Sequence, residues 1–140
     1  MVKYRSLSIS ALVLLSLASP VGAVQGKWVS EFGQGNYGYF IDKGKMRLYI
    51  GCGGASNASS DITLGEPAHP RAIKIDSITV GGKVYSGSFD TDNSTGKRNF
   101  VALVEALKRG PATVKYEGAS IDFPVSNAAK ELPKSASECG

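Results

Sequence analysis

The chain has 140 residues, of which 16 are basic and 12 acidic, giving a formal net charge of +4. This length fits a single domain with its own core. This small excess of positive charge is not typical of a nucleic-acid-binding protein, so we expect no nucleic acid among its partners.

The first 23 residues have the pattern of a secretory signal peptide. Two basic residues precede the short apolar run Ile9–Leu17, and small residues end at Ala23, after which we expect cleavage. The run is shorter than the ~20 residues needed to span a bilayer, and no later segment reaches that length. We therefore expect residues 24–140 to form one domain that is periplasmic or secreted and makes no stable membrane insertion. An uncleaved signal anchor is the alternative.

Two cysteines, Cys52 and Cys139, are present. In an oxidising compartment we expect one disulfide, which would tie the C-terminus to an early strand and stabilise the domain by roughly 4–5 kcal/mol. The alternative is a nucleophilic Cys52 working with His69, the single histidine. That chemistry needs a reactive thiolate and a third orienting group, and the neighbouring sequence suggests neither.

The first strand of this domain is predicted to begin near Lys27–Phe32. It contains Trp28, the only tryptophan, which we interpret as a core residue, with an exposed binding residue as the alternative. The segment Asn36–Ile50 predicts a hairpin that turns at Lys43–Gly44, in which Ile41 faces Met46. One side of this hairpin then forms the core face. That side comprises Tyr37, Tyr39, Ile41, Met46, Leu48 and Ile50.

The other side of this hairpin carries the candidate binding residues. In the predicted register Tyr49 lies opposite Gly38, and Phe40 lies opposite Arg47, close enough for a cation–π contact. This side is either covered by another layer or is an aromatic and cationic recognition surface. Aromatic residues and arginine dominate binding hot spots, so we take Phe40, Arg47 and Tyr49 as the partner-binding candidates.

The stretch Arg71–Gly87 is predicted to form the hairpin around which the sheet is organised, and we place it in the middle of that sheet. Gly81–Gly82 is a two-residue turn signal between strands rich in β-branched residues. The apolar pattern changes parity within the first strand, which predicts a β-bulge near Asp76–Ser77. His69, between two prolines, is expected in a loop without metal-ligand partners.

The clearest helix is predicted over residues 99–109, with Asn99 as its cap and an apolar stripe that packs on the sheet. The stripe comprises Phe100, Leu103, Val104 and Leu107. A last hairpin turns at Glu117–Gly118, and Ser126 is expected to cap a short helix over residues 126–132. The predicted fold class is mainly β: an antiparallel β-sandwich or curled sheet of about seven or eight strands with these two helices.

No catalytic motif is present. The chain lacks G-x-S-x-G and H-E-x-x-H, and its glycine-rich loop after residue 50 matches no phosphate-binding pattern. Two carboxylates could still meet in space, as glycosidases need. We expect a non-catalytic protein without a cofactor or metal ion.

Several features of the second half occur in a recognisable order. They are the Val80–Lys83 turn, the helix Phe100–Gly110, the strand before Phe123, Asn127–Ala129 and the final Cys139. This order resembles bacterial periplasmic proteins of the invasion-associated locus B type. The resemblance implies a small exported β-sandwich without catalysis, and it carries no functional residues across. The region of Trp28 departs from it, because the cysteine expected after the first strand is missing.

Two function classes follow. The first is a periplasmic inhibitor or immunity protein that blocks a toxin or a cell-wall hydrolase by plugging a cleft with a rigid loop or edge. The second is an envelope accessory or virulence-associated protein of the resembled type. Both imply a protein partner, and a homodimer is compatible with either.

Overall fold

The computed structural model describes residues 24–54 and 58–139, which form two antiparallel sheets and two α-helices around a shared core. The strands are β1 Trp28–Gly33, β2 Asn36–Lys43, β3 Met46–Cys52, β4 Asp61–Glu66, β5 His69–Ile73, β6 Ile75–Val80, β7 Lys83–Ser86, β8 Ala112–Tyr116 and β9 Ala119–Phe123. The helices are α1 Ser94–Leu107 and α2 Ala128–Glu131, followed by a 3-10 turn at Ala136–Cys139. The predicted mainly β fold class is confirmed, with nine strands in the described part of the chain. The predicted signal peptide lies outside the described residues.

The first five strands form one sheet in sequence order, β1 to β5. The β2–β3 hairpin turns at Gly44–Lys45, one residue later than predicted, and Ile41 pairs with Leu48 rather than with Met46. The predicted register was wrong because the glycine takes the first turn position, where its φ of 58° is required. The error amounts to two residues, so side-chain parity is preserved. Ile41, Met46, Leu48 and Ile50 are buried as predicted, whereas Tyr37 at the far end of the hairpin is 55% exposed and was wrongly placed in the core.

The remaining strands form a second sheet in the order β7-β6-β8-β9. Its first hairpin turns at Gly81–Gly82 as predicted, with both glycines at positive φ. However, β7 is an edge strand, so the prediction that this hairpin lies in the middle of the sheet was wrong. The chain leaves the first sheet at Lys74, and β6 carries the predicted bulge between Ile75 and Ser77. These two breaks account for the change of apolar parity within this stretch.

The long helix α1 begins earlier than predicted. Asn93 caps it, because its side chain accepts a 2.7 Å hydrogen bond from the amide of Gly96. Asn99, the predicted cap, lies inside the helix and donates to the carbonyls of Ser86 and Ser88. Apolar spacing could not reveal the first, polar turn of the helix. The predicted buried stripe of Phe100, Leu103, Val104 and Leu107 is confirmed.

The C-terminal segment covers part of the open edge of β1. The side chain of Asn127 accepts a 2.8 Å hydrogen bond from the amide of Trp28 and donates one of 2.9 Å to its carbonyl. The carboxylate of Glu131 accepts from the amide of Ser30 at 3.1 Å and from its hydroxyl at 2.6 Å. The prediction that Ser126 caps α2 was wrong: Ser126 has φ of 45°, and Asn127 occupies the cap position.

A disulfide joins Cys52 to Cys139, as predicted. Both cysteines are buried, and the hydroxyl of Ser60 links their surroundings. It accepts a 3.0 Å hydrogen bond from the amide of Gly53 and donates a 2.9 Å bond to the carbonyl of Cys139. The end of the chain is thereby fixed to the end of β3, and Cys52 holds no free thiol that could act as a nucleophile.

The core lies between the inner faces of the two sheets and the apolar stripe of α1. Trp28 is 2% exposed, so its predicted core role is confirmed. No helix in the described ranges is long and apolar enough to cross a membrane.

Candidate functional site

The candidate binding residues lie together on the outer side of the five-stranded sheet. Phe40 pairs directly with Tyr49 across β2 and β3, and Asp42 pairs with Arg47 next to them. Both strands have hydrogen-bonded neighbours on each side, which fixes their backbone. Phe40 is buried but does not belong to the hydrophobic core cluster, which includes Ile41 and Leu48 on the other side of the sheet. We call the surface formed by Phe40, Asp42, Arg47 and Tyr49 the aromatic face.

The guanidinium of Arg47 is held from two sides. Its Cζ lies 3.8 Å from the ring centroid of Phe40. Its Nε and Nη2 donate to the two carboxylate oxygens of Asp42 at 2.6 and 2.9 Å. These hydrogen bonds raise the pKa of Arg47, so its guanidinium stays charged at physiological pH. The predicted cation–π contact is present, although it joins diagonal rather than directly opposite residues.

Tyr49 lies across the glycines of the neighbouring positions. Its ring and hydroxyl occupy the space that a Cβ at Gly38 would need, and its ring edge is 3.2 Å from a Cβ built at Gly51. The predicted cover of Gly38 by Tyr49 is therefore present, although Tyr49 pairs with Phe40 and reaches Gly38 diagonally instead of from the opposite position. Burial raises the pKa of Tyr49, and a hydrogen bond to Glu31 and the charges of Glu31 and Asp61 raise it further. The phenol is therefore neutral at physiological pH.

Two depressions flank Tyr49. The Glu31 groove, of about 360 Å³, is lined by Glu31, Phe32, Gly33, Asn36, Gly38 and Tyr49. The Arg47 groove, of about 300 Å³, is lined by Arg47, Tyr49, Thr63, Leu64, Gly65, Glu66, Pro67, Arg71 and Ala72. Tyr49 is the one residue that belongs to both linings, and it forms the ridge between them.

The structure assembles the three predicted residues and adds two that the sequence analysis missed. Phe40 is 7% exposed and serves as the base on which Arg47 rests, so Arg47 and Tyr49 present the accessible atoms. Asp42 was missed because the predicted register placed it next to the turn and put Phe40, not Asp42, opposite Arg47. Glu31 was missed because it comes from β1, where it pairs with Gly38. The role of these residues in partner binding stays a prediction.

The other residues considered for catalysis or metal binding do not form a common site in the described ranges. His69, expected in a loop, is the first residue of β5 and is exposed. Within residues 24–54 and 58–139, no three His, Cys, Asp or Glu side chains converge as a metal site. Burial and the nearby carboxylate of Asp90 raise the pKa of Asp61, on the far side of Tyr49 from Glu31.

Comparison with known proteins places the chain in a family. The family model described as YfjT matches residues 26–132, which is more than half of the 140-residue chain, so the chain belongs to the YfjT family. No curated protein matches the chain. No solved structure matches it either. The resemblance to the invasion-associated locus B type stays a prediction.

Proposed function

We propose that this member of the YfjT family is an exported, non-catalytic binding protein that acts as an inhibitor or immunity protein against a toxin or a cell-wall hydrolase. The observation that carries the proposal is the aromatic face. It combines arginine and tyrosine, two of the residue types most enriched in binding hot spots, on the side of the sheet opposite the hydrophobic core.

The rigidity of the aromatic face favours tight binding. Arg47 is already fixed by Phe40 and Asp42 before any partner arrives, so little side-chain entropy remains to be lost on association. Tyr49 is likewise held by its contact with Gly38. A preorganised surface of this kind suits an inhibitor, which must compete with the substrate of its target.

The disulfide supports the exported location. Bonds of this kind persist in oxidising compartments and are rare in the cytosol. The pair also uses both cysteines of the chain, which removes Cys52 as a candidate nucleophile. His69 is exposed at the start of β5. The bonded Cys52 and the position of His69 together support a role in binding rather than in catalysis.

Capture from a periplasmic extract tests the proposal. The mature protein serves as bait, with Tyr49→Ala as the test variant. Lys115→Ala, an exposed position in β8, is the matched control. We expect one stoichiometric toxin or hydrolase partner, about ten-fold weaker capture by Tyr49→Ala, and no change with Lys115→Ala. Arg47→Ala is a poorer test, because it would leave the buried Asp42 without its ion pair.

The identity of what is captured separates the two function classes. A single partner whose activity falls as the bait is titrated supports inhibition. Recovery of several components of an envelope complex would instead support the accessory class, the alternative that the resemblance to the invasion-associated locus B type suggests. Equal capture by wild type and Tyr49→Ala would remove the aromatic face from the proposal.

A further inference from the structure

Two glycines on the outer side of the five-stranded sheet lie directly opposite each other and beneath one aromatic ring. They are Gly38 of β2 and Gly51 of β3. A Cβ at Gly38 would lie 2.7 Å from Cζ of Tyr49, and a Cβ at Gly51 would lie 3.2 Å from its Cε1. Since both edges of the ring meet this glycine pair, the ring lies across it with one face toward the backbone. Tyr49 is partly exposed, so its other face and its rim are the parts that a ligand can reach.

A carboxylate lies at each end of the glycine pair. Glu31 of β1 is opposite Gly38, and Asp61 of β4 is opposite Gly51, so the four residues form one row on the same side of the sheet. The ends of the row are three strand spacings apart, about 14 Å between Cα atoms, with the ring of Tyr49 between them. Oδ1 of Asp61 lies 2.8 Å from the Cβ position of Gly51, so this carboxylate leans toward the ring.

Hydrogen-bond donors lie along the rest of the rim. Thr63 is exposed and pairs directly with Tyr49, which brings its hydroxyl beside the ring. Arg47 lines a depression with these two residues, and its Nη1 takes no part in the ion pair with Asp42. A carboxylate can only accept hydrogen bonds, and a guanidinium can only donate them. The rim therefore suits a neutral ligand that both donates and accepts hydrogen bonds.

We propose that Tyr49 is the platform of a carbohydrate site, which binds a neutral pyranose ring with equatorial hydroxyls. In such a sugar the axial C–H bonds point at right angles to the ring, and their weakly positive hydrogens are attracted to the negative face of the tyrosine. The equatorial hydroxyls point outward, toward Glu31, Asp61 and Thr63. The depressions on either side of Tyr49 give space for neighbouring sugars of a glycan chain. The inference goes beyond the proposed function, because this ligand is a sugar and not the protein partner.

Titration of tri-N-acetylchitotriose into the ¹⁵N-labelled mature protein tests the site without any protein partner. The sugars of this probe carry their hydroxyls equatorially, and D-sorbitol, which has hydroxyls but no ring, is the control ligand. We expect saturable shifts of the amides of Gly38 and Gly51 with chitotriose only. Tyr49→Ala should weaken binding by roughly ten-fold, whereas Tyr49→Phe, which keeps the ring, should change it by less than about two-fold. Asp61→Asn should weaken it by roughly five-fold, because the charged acceptor is lost.

Two further variants control for the fold. Gly38→Ala keeps the tyrosine and both carboxylates but fills the space beneath the ring, so it should weaken chitotriose binding in a folded protein. Lys115→Ala, an exposed position in the other sheet, should bind like the wild type.

The outcomes separate the inference from the proposed function. Absence of saturable shifts, equal shifts with sorbitol, or an unchanged affinity in Tyr49→Ala or Asp61→Asn would each overturn the carbohydrate site. Binding by Tyr49→Phe as weak as that by Tyr49→Ala would also overturn it, because the ring would then not be the platform. If chitotriose binds but no toxin or hydrolase is ever captured, the carbohydrate site stands and the proposed function fails. If such a partner is captured without any chitotriose response, the reverse holds.

Discussion

Replacing Asn127 by alanine removes both hydrogen bonds that the C-terminal segment makes to the backbone of Trp28. The amide and the carbonyl of Trp28 point away from β2, and the Asn127 side chain takes the place that a neighbouring strand would occupy. Each partly buried group left without a partner costs about 1–1.5 kcal/mol. We therefore expect the free energy of unfolding to fall by about 2–3 kcal/mol, which lowers the Tm by roughly 8–12 °C in a domain of this size.

Urea denaturation and hydrogen exchange measure this effect. Lys130→Ala, an exposed position on the same helix, is the matched control and should change stability by less than about 0.5 kcal/mol. Asn127→Ala should also accelerate exchange of the Trp28 amide while leaving the amides of central strands such as β3 protected. A stability loss equal to that of the control, with unchanged exchange at Trp28, would show that Asn127 is not holding the edge of β1.

Replacing Cys52 and Cys139 together by serine should lower the free energy of unfolding by about 4 kcal/mol, because the unfolded chain loses a long closed loop. The wild type should show no free thiol under denaturing conditions until a reductant is added, and a full thiol signal without reductant would contradict the bond. The atoms of Tyr49 that lie over Gly38 are at the far end of its flexible side chain. Gly38→Ala should therefore displace them and lower the phenol pKa toward its ordinary value of 10.0. An unchanged ultraviolet titration would refute that contact. The raised pKa of Tyr49 means that the native state holds its proton longer than the unfolded chain, so stability is lost as pH rises above about 10. Tyr49→Phe should flatten that decline in melts between pH 9 and about 11, and an equally steep decline would mean that Tyr49 contributes nothing to it.

Local turn chemistry made much of the fold predictable from sequence. Gly81–Gly82 and Glu117–Gly118 stand where the structure has its turns, with positive φ at all four residues. At Lys43–Gly44 the same reasoning failed by one position, since a single glycine can occupy either turn position and sequence gave no way to choose. The apolar stripe of α1 that includes Phe100 could also be predicted from sequence, because its spacing repeats within a single helix.

The arrangement of the elements was harder to predict, because it depends on contacts between distant residues. Nothing near Arg71–Gly87 shows that the chain changes sheets at Lys74, so its hairpin was placed centrally instead of at an edge. Asn127 illustrates the same limit: its partner Trp28 is 99 residues away, and its local context indicated only a helix start.

The candidate site was partly predictable for a related reason. Parity alone brought Phe40, Arg47 and Tyr49 to one side, and it was insensitive to a two-residue error in register. The charges that decide what this surface can bind were not predictable in the same way. Asp42 needed the correct turn, and Glu31 needed the pairing of a strand from a separate hairpin.

The cover of β1 ends where the Glu31 groove begins. The amide and carbonyl of Trp28 are bonded to Asn127 and the amide of Ser30 to Glu131, whereas no described side chain caps Phe32 in this way. An uncovered strand edge favours unwanted pairing with other chains, so natural proteins shield it or keep it short. Here the shielded part stabilises the fold, and the short open part carries Glu31 and Phe32 on opposite faces of the sheet. This division gives the expected consequence that Asn127→Ala weakens the fold, while Phe32→Ala, at a position that is 64% exposed, changes stability by less than about 0.5 kcal/mol.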